Sequence, residues 1–161
     1  MSNLLVQNIK HTNSTTAMTV DTAGRILTAA RPSFKASPTS SGNAGATADI
    51  IFGDVSTATL GCHNIGGHYN TSTGKFTAPV TGVYVFHFCS GQYGSNVCII
   101  KFYLNTNPCG TMIQNTGDSS DTVEASQNLY LTAGDYVHMK ITGGYYEYGA
   151  DSSLFSGYLL G

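Results

Sequence analysis

Hydrophobic and polar positions alternate in short runs from about residue 49 to the end of the chain, and clusters of Gly, Asn, Asp and Ser separate the runs. This spacing is typical of an antiparallel β-sandwich. The clearest strand covers residues 82–90, where Tyr84, Phe86 and Phe88 point to one face because strand side chains alternate. The opposite face carries Val83, Val85, His87 and Cys89. Both faces are largely apolar, so we expect one to fill the core and a second copy of the chain to cover the other.

Later segments repeat this pattern and predict further strands, with no helix. Residues 97–105 place Phe102 on an apolar face, and residues 154–160 form a last strand that contains Phe155. We assign both aromatics, with the central strand, to the core or to a contact between chains. Residues 122–131 and 134–141 resemble a hairpin that turns across residues 132–134.

The first 30 residues differ from the rest in composition: they are rich in threonine and carry two short apolar runs around a turn at residues 21–24. This pattern predicts a small β ribbon. An isolated hairpin is marginal in water, so the ribbon is expected to dock on the sandwich or to gain order by winding with other copies or a larger partner. We therefore divide the chain into an attachment ribbon, residues 1–30, and a sandwich domain, residues 31–161.

Charge and hydropathy limit the classes of partner. Charged residues make up 10% of the chain, whereas an ordinary soluble protein has about 25%, and the net charge is -2. The seven Lys and Arg residues form no basic stripe, so nucleic acid is not an expected partner. No apolar stretch approaches the roughly 20 residues that span a bilayer, and the N-terminus lacks the pattern of a signal peptide.

A specific pattern runs through the middle of the chain: Asn64, Tyr69, Phe76 and Gly82, followed by the alternating aromatics of the central strand. It resembles the signature of C1q-like domains. The segments TGKFTAPVTGVYVF, LTAGDYV and LFSGYLL resemble other landmarks of that family in the same order, whereas Ala58 stands where the family pattern has Phe. The resemblance covers about residues 31–161 and implies a ten-strand, all-β jelly roll of the C1q/TNF kind that assembles as a homotrimer.

Residues 8–34 resemble segments that precede C1q-like domains in fibre and appendage proteins of bacteriophages. This second resemblance implies a structural virion protein, made in the cytoplasm of the bacterial host: a tail fibre, a knob or a capsid decoration that contacts the host surface. Its partners would be itself and, through residues 1–30, other virion proteins. The alternative is a free or cell-associated trimeric lectin-like module.

Candidate chemistry is sparse, and no catalytic motif is present, so we expect no enzyme activity. The run GGYYEY suits stacking on a host glycan, although its tyrosines would equally pack at a trimer axis. Carboxylates in the loop DSSD would hold Ca²⁺, although a solvated turn explains them as well and no other cofactor is expected. The candidate ligand-binding residues are Tyr145, Tyr146, Glu147 and Tyr148, with Tyr93 from a neighbouring polar loop, and the candidate metal ligands are Asp118 and Asp121.

Overall fold

The computed structural model describes residues 6–14, 16–28, 30–58, 60–92, 97–115 and 122–161. It separates into two compact units, Met1–Arg31 and Pro32–Gly161. Every regular element in the described part is a strand. The described residues include no helix with the length and hydropathy needed to cross a bilayer.

The first unit is a three-stranded antiparallel ribbon in the order β1-β2-β3. A turn between the second and third strands is held by Asp21, whose carboxylate accepts hydrogen bonds from the backbone N–H groups of Ala23 and Arg25, both at 2.9 Å. Gly24 completes the turn at a φ of 79°, a conformation that glycine adopts without strain. The strands are β1 (Asn8–Lys10), β2 (Thr16–Val20) and β3 (Ile26–Leu27).

The second unit is a jelly-roll sandwich, and ten strands are assigned in its described part. In the first sheet the order is β12-β9-β13-β4-β6, and β5 pairs with the middle of β13. In the second sheet, β11 pairs with β10 and β10 pairs with the start of β13. The start of β13 also pairs with β8, which pairs with β7. The strands are β4 (Ser33–Ala36), β5 (Gly42–Gly45), β6 (His63–Ile65), β7 (Tyr69–Asn70), β8 (Lys75–Thr77), β9 (Gly82–Gln92), β10 (Cys98–Leu104), β11 (Asn107–Asn115), β12 (Thr122–Leu131) and β13 (Tyr136–Leu159).

The last strand is longer than the sequence predicts. The sequence pattern predicts a break between two strands over residues 142–153, but β13 continues through them. Gly144 makes the path sterically possible: it has a φ of 73°, and an added Cβ would lie 1.8 Å from the carbonyl oxygen of Val97. The strand passes from the second sheet to the first directly after Gly144, which pairs with Cys98 of β10, because Tyr145 already pairs with Gly45 of β5. A register irregularity between Tyr148 and Ser153 follows within the first sheet.

The predicted hairpin between β12 and the start of β13 is wrong. β12 pairs with β9 from Thr122 to Leu131, whereas the start of β13 pairs with β8 and β10 in the other sheet. The predicted turn itself is present, because Gly134 has a φ of 96° and Asp135 accepts a 2.9 Å hydrogen bond from the N–H of Thr132. A tight turn determines only where the chain reverses its direction. Here the chain passes from one sheet to the other at the turn, so the flanking strands do not pair.

Aromatic rings fill the space between the sheets. Tyr84, Phe86 and Phe88 are fully buried along β9, on the face that the alternation predicts. Phe34 packs against aromatic rings from four other strands, and its ring lies 4.6 Å from that of Tyr69 in a stacked arrangement. Each buried aromatic removes on the order of 150–250 Å² from water. Other rings in this core include Phe52, Phe76, Phe102 and Phe155.

Candidate functional site

Asn64 fixes the chain just before the core strands begin. Its side-chain amide donates a 2.8 Å hydrogen bond to the carbonyl of Tyr69, and its side-chain oxygen accepts a 3.1 Å bond from the N–H of the same residue. Tyr69 is itself buried, and its hydroxyl donates a 3.1 Å bond to the carbonyl of Phe52. The first two positions of the sequence signature are therefore one hydrogen-bonded unit that closes the loop between β6 and β7.

Gly82, the fourth position of the signature, lies where the chain end returns to the sheet. An added Cβ would lie 2.9 Å from the carbonyl oxygen of Gly161 and 2.9 Å from a methyl carbon of Leu159. The N–H of Val83 donates a 2.8 Å hydrogen bond to Gly161, and Leu160 donates one of the same length back to Val83. Glycine at this position lets the last residues pair beside β9.

The outward face of the first sheet is built from three adjacent strands, β12, β9 and the end of β13. In one row of this face, Asn128 pairs with Val85, which pairs with Tyr158 on its other side. In the next row, Ser126 pairs with His87 and its hydroxyl oxygen lies 3.0 Å from Nδ1 of that histidine. We call this surface the β9 face; its residues include Val83, Val85, His87, Cys89, Glu124, Tyr130, Leu154, Tyr158 and Leu160.

The β9 face exposes large apolar groups and little charge. Tyr130 is 69% exposed, Leu160 52% and Tyr158 45%. Along its described rows Glu124 supplies the acidic side chain, opposite Cys89. The pKa of the Cys89 thiol is raised by its burial and, to a lesser degree, by the Glu124 charge, so this thiol stays protonated near neutral pH. None of the four cysteines forms a disulfide.

Tyr146, a predicted ligand-binding residue, is fully buried and does not offer its ring to a ligand. Its hydroxyl is hydrogen-bonded to the hydroxyl of Ser90, which lies 2.8 Å from that of Ser153. Burial raises the pKa of the Tyr146 hydroxyl, and the two serines lower it less. Strand alternation explains the placement, because consecutive tyrosines on β13 point to opposite faces.

Tyr145 and Tyr148 lie on the same stretch of β13, opposite β5. Tyr145 is 37% exposed, whereas Tyr148 is half-buried with its ring stacked 5.1 Å from that of Tyr146. The hydroxyl of Tyr148 covers the Cα of Gly42, where an added Cβ would lie 2.6 Å away. Of the predicted tyrosine cluster, Tyr145 is thus the ring available at the surface of this strand.

Several predicted site residues cannot be placed. Tyr93, Asp118 and Asp121 lie outside the described residues, as does the side chain of Glu147. Elsewhere in the chain, the described His, Cys, Asp and Glu residues form no group of three or more that would hold a metal ion. The ligand and metal assignments of these residues stay predictions.

A polar cleft on the second sheet is not among the sites that the sequence predicts. His138 is 5% exposed, and it lines this cleft of about 190 Å³ together with Tyr136 and Lys140 of the same strand. The signal was present in YVHMK, where Tyr, His and Lys alternate with Val and Met, so that three polar side chains share one face of a strand.

The sequence profile of the C1q domain matches residues 33–160. The chain belongs to the C1q domain family. The match covers nearly the whole second unit, so the Asn64–Tyr69 unit, Gly82 and the aromatic stripe of β9 all lie within the C1q domain.

Two mouse proteins are among the relatives of this C1q domain. Mouse complement C1q tumor necrosis factor-related protein 2 is 33% identical over 102 residues, which is 60% of this chain and 34% of the relative. Mouse complement C1q and tumor necrosis factor-related protein 9 is 37% identical over 102 residues, which is 58% of this chain and 29% of that protein. The chain thus spans about a third of the length of these curated relatives.

Solved structures share the fold. The globular domain of zebrafish complement 1qA protein aligns with a TM-score of 0.62 at 21% identity, over 81% of this chain and 98% of that one. The Eiger TNF structure from S. frugiperda aligns with a TM-score of 0.55 at 16% identity, over 81% of this chain and 94% of that one. The prediction of an all-β C1q/TNF jelly roll is therefore confirmed.

Proposed function

We propose that the C1q domain is a homotrimeric display head and that the N-terminal unit attaches it to a larger assembly. The β9 face carries this proposal, because it presents Tyr130 of β12, Tyr158 of β13 and the following Leu160 to solvent beside half-buried Val85 of β9. Exposed apolar groups that share one surface are typical of an interaction site. An obligate contact of this kind buries more than roughly 2,000 Å².

Self-association explains this surface better than a charged partner does. Glu124 is the acidic side chain in its described rows, so the face offers little for electrostatic recognition, whereas copies arranged around a threefold axis would cover one another's apolar surface. Jelly rolls of the C1q/TNF kind typically form trimers, and the chain has this fold. The functional unit that we propose is three chains.

The N-terminal unit supports the attachment role. Its three short strands expose Ile9 by 51%, Ile26 by 63% and Leu27 by 46%. A ribbon that buries so little of its own apolar surface gains order when other copies or a larger partner cover it. We therefore assign residues 1–31 to attachment and residues 32–161 to display.

The larger assembly that we propose is a bacteriophage virion, and the protein is a fibre, knob or capsid decoration made in the host cytoplasm. This step rests on the resemblance of residues 8–34 to segments of phage appendage proteins, since the named relatives of the C1q domain are animal proteins. Binding of the host surface, with no catalysis, nucleic acid or membrane insertion, belongs to the same proposal.

Exposed Tyr145 favours the second candidate, a free or cell-associated trimeric lectin-like module. Its ring lies on β13 at the register position opposite Gly45 of β5. Because glycine adds no side chain there, the apolar face of a sugar ring has access to the tyrosine ring.

Mass and incorporation measurements test the proposal. Light scattering of the purified chain at micromolar concentration should give three times the monomer mass, and a monodisperse monomer would contradict the trimer. Deletion of residues 1–31 should abolish incorporation into phage particles while the remaining head keeps its trimeric mass. If incorporation survives this deletion and Tyr145→Ala abolishes glycan binding, the lectin-like module is the correct function.

A further inference from the structure

The polar cleft on the second sheet has the composition of a binding site. Its walls come from three strands and two loops. The strands supply Lys75 of β8, Tyr103 of β10, and Tyr136, His138 and Lys140 of β13, and the loops supply Asp49 and the turn at Asn105 and Thr106. The bridge between Asp49 and Lys140 holds the loop against the strand. At about 190 Å³ the cleft is smaller than the roughly 300–1,000 Å³ of a drug-sized pocket, so it suits one compact group.

Two ammonium groups are held at this cleft by aromatic rings. The Nζ atom of Lys75 lies 4.4 Å from the ring centroid of Tyr136, and that of Lys140 lies 5.6 Å from the ring centroid of Tyr103. Within the described part of the chain, neither ammonium lies within 4.0 Å of a carboxylate. Both charges are therefore positioned in advance and keep their attraction for an anion.

His138 forms the floor of the cleft, and both of its ring nitrogens face oxygen atoms. Nε2 lies 3.1 Å from the carbonyl oxygen of Asn105, and Nδ1 lies 3.1 Å from Oδ1 of Asp49. A neutral imidazole carries one N–H and can donate to only one of them. The contact with Asp49 lacks hydrogen-bond geometry, so Nδ1 and Oδ1 are buried polar atoms without a hydrogen bond among the described residues.

Burial is the main cause that lowers the pKa of His138, and Lys75 and Lys140 lower it further, against the opposing effects of Asn105 and Asp49. The imidazole is therefore neutral at pH 7, and its proton serves the Asn105 carbonyl. The bare Nδ1 and the Asp49 carboxylate, which is 34% exposed, are then two acceptors that face each other without a donor between them.

Charge and hydrogen-bonding groups together define the ligand. Two ammonium groups and one carboxylate leave about one positive charge, which disfavours a metal cation. One monovalent anion neutralises this charge, whereas a dianion such as phosphate leaves one uncompensated negative charge beside Asp49. When the Asp49 carboxylate rotates slightly, its oxygens can accept a hydrogen bond from a hydroxyl group of the ligand. A simple carboxylate such as acetate has no hydroxyl group to donate. The tyrosine ring edges and the lysine stems supply apolar contact.

We propose that this cleft binds a carboxylate-bearing sugar. The sugar carboxylate lies between Lys75 and Lys140, and a sugar hydroxyl donates a hydrogen bond to Asp49. The site lies on the outward face of the second sheet, whereas the β9 face belongs to the first sheet. This inference rests on the proposed display function, because it supplies the ligand that the display head would bind. One chain nevertheless contains every residue of the cleft, so its binding is independent of trimer formation.

Titration of the full chain with glucuronate, followed by amide chemical shifts, tests the proposal. We expect saturable shifts at Tyr103, Asn105 and His138, and much weaker binding of glucose, acetate and inorganic phosphate. Lys75→Met and Lys140→Met each remove one charge but keep the stem, and each should weaken glucuronate binding about fivefold, as for a partly exposed ion pair.

Lys101→Met is the matched control, because Lys101 pairs with Lys140 across β10 and β13 but does not line the cleft. Its charge lies beside the cleft without lining it, so its loss should weaken glucuronate binding less than the loss of Lys75 or Lys140 does. An equal loss in this variant would overturn the proposal in favour of general electrostatic attraction, and equal binding of acetate or phosphate would overturn the sugar. If the protein is a trimer but glucuronate causes no chemical-shift changes, only the sugar site is contradicted. If the protein is a monomer that binds glucuronate, only the trimer is contradicted.

Discussion

Gly157 of β13 pairs directly with Phe86 of β9, and the Phe86 ring occupies the space into which a side chain at position 157 would project. An added Cβ would lie 2.5 Å from Cδ1 of Phe86 and 2.9 Å from Cε1 of Phe34. We predict that Gly157→Ala lowers the free energy of unfolding by about 1–3 kcal/mol, because the core must shift to accept the methyl group. Urea denaturation measures the loss.

Gly45→Ala is the control for this prediction, since an added Cβ there meets no atom within 4 Å. Its effect should stay within about 0.5 kcal/mol. If both substitutions cost the same, the close packing of Phe86 over Gly157 is not what makes glycine necessary.

Asn64→Ala should destabilise the domain by about 1–3 kcal/mol, because the side chain makes two hydrogen bonds to the backbone of Tyr69 and the substitution leaves both groups without a partner. Asn70→Ala is the comparison: Asn70 accepts one exposed 2.8 Å bond from the N–H of Ser72. Thermal denaturation should show a clearly larger fall in Tm for the first variant, and equal falls would contradict the role of Asn64.

Tyr146→Phe removes one hydroxyl from the buried group that it forms with Ser90 and Ser153, and should lower the free energy of unfolding by about 1 kcal/mol. Tyr145→Phe should leave stability unchanged, because the Tyr145 side chain is 37% exposed. Chemical denaturation of the two variants side by side separates a structural tyrosine from a surface one. A Tyr146→Phe variant with an unchanged free energy of unfolding would be evidence against the structural role.

Tyr158→Glu should convert the proposed trimer into a monomer, because three buried carboxylates would meet apolar surface without partners. Tyr158 is 45% exposed in the single chain, so the variant should still fold. Val97→Glu, at an apolar side chain that is 48% exposed and precedes β10, should remain trimeric. Sedimentation velocity gives the mass of each variant, and an unchanged Tyr158→Glu trimer would exclude this region from the contact.

Stability should fall as the pH drops through the range in which His138 titrates. The pKa of His138 is lowered in the folded chain, mainly by burial, so the unfolded chain binds the proton more readily. The free energy of unfolding therefore declines below the ordinary histidine pKa of about 6.5 and levels off below the folded value. His138→Gln should flatten this slope between about pH 7 and pH 5 in urea denaturation, and an identical slope would contradict the assignment.

Local alternation predicts much of the sandwich. The burial of Tyr84, Phe86 and Phe88 follows from the two-residue period of a strand, and the turns at Gly24 and Gly134 follow from residues that tolerate a positive φ. Partner choice does not follow from this pattern. A strand run contains no information on which sheet it joins, and so the sequence predicts β12 beside β13 although β12 pairs with β9.

The candidate sites show the same division. Tyr146 has the residue type of a sugar-stacking ring, but its place on an alternating strand turns it inward to Ser90. The cleft residues were invisible as a group because Asp49, Lys75 and Tyr103 are far apart in the chain and meet only when β8, β10 and β13 pair. Long-range register, rather than local composition, determines that site.

The 24-residue strand β13 has a mechanical consequence, because its hydrogen bonds belong to both layers of the sandwich. Neither layer can peel away while the other remains intact, since each shares this length of backbone. Amide hydrogens at Tyr136 and at Leu159 should therefore exchange with solvent in the same cooperative opening event. A mechanical force applied at one end of the domain is therefore distributed over both sheets of the sandwich.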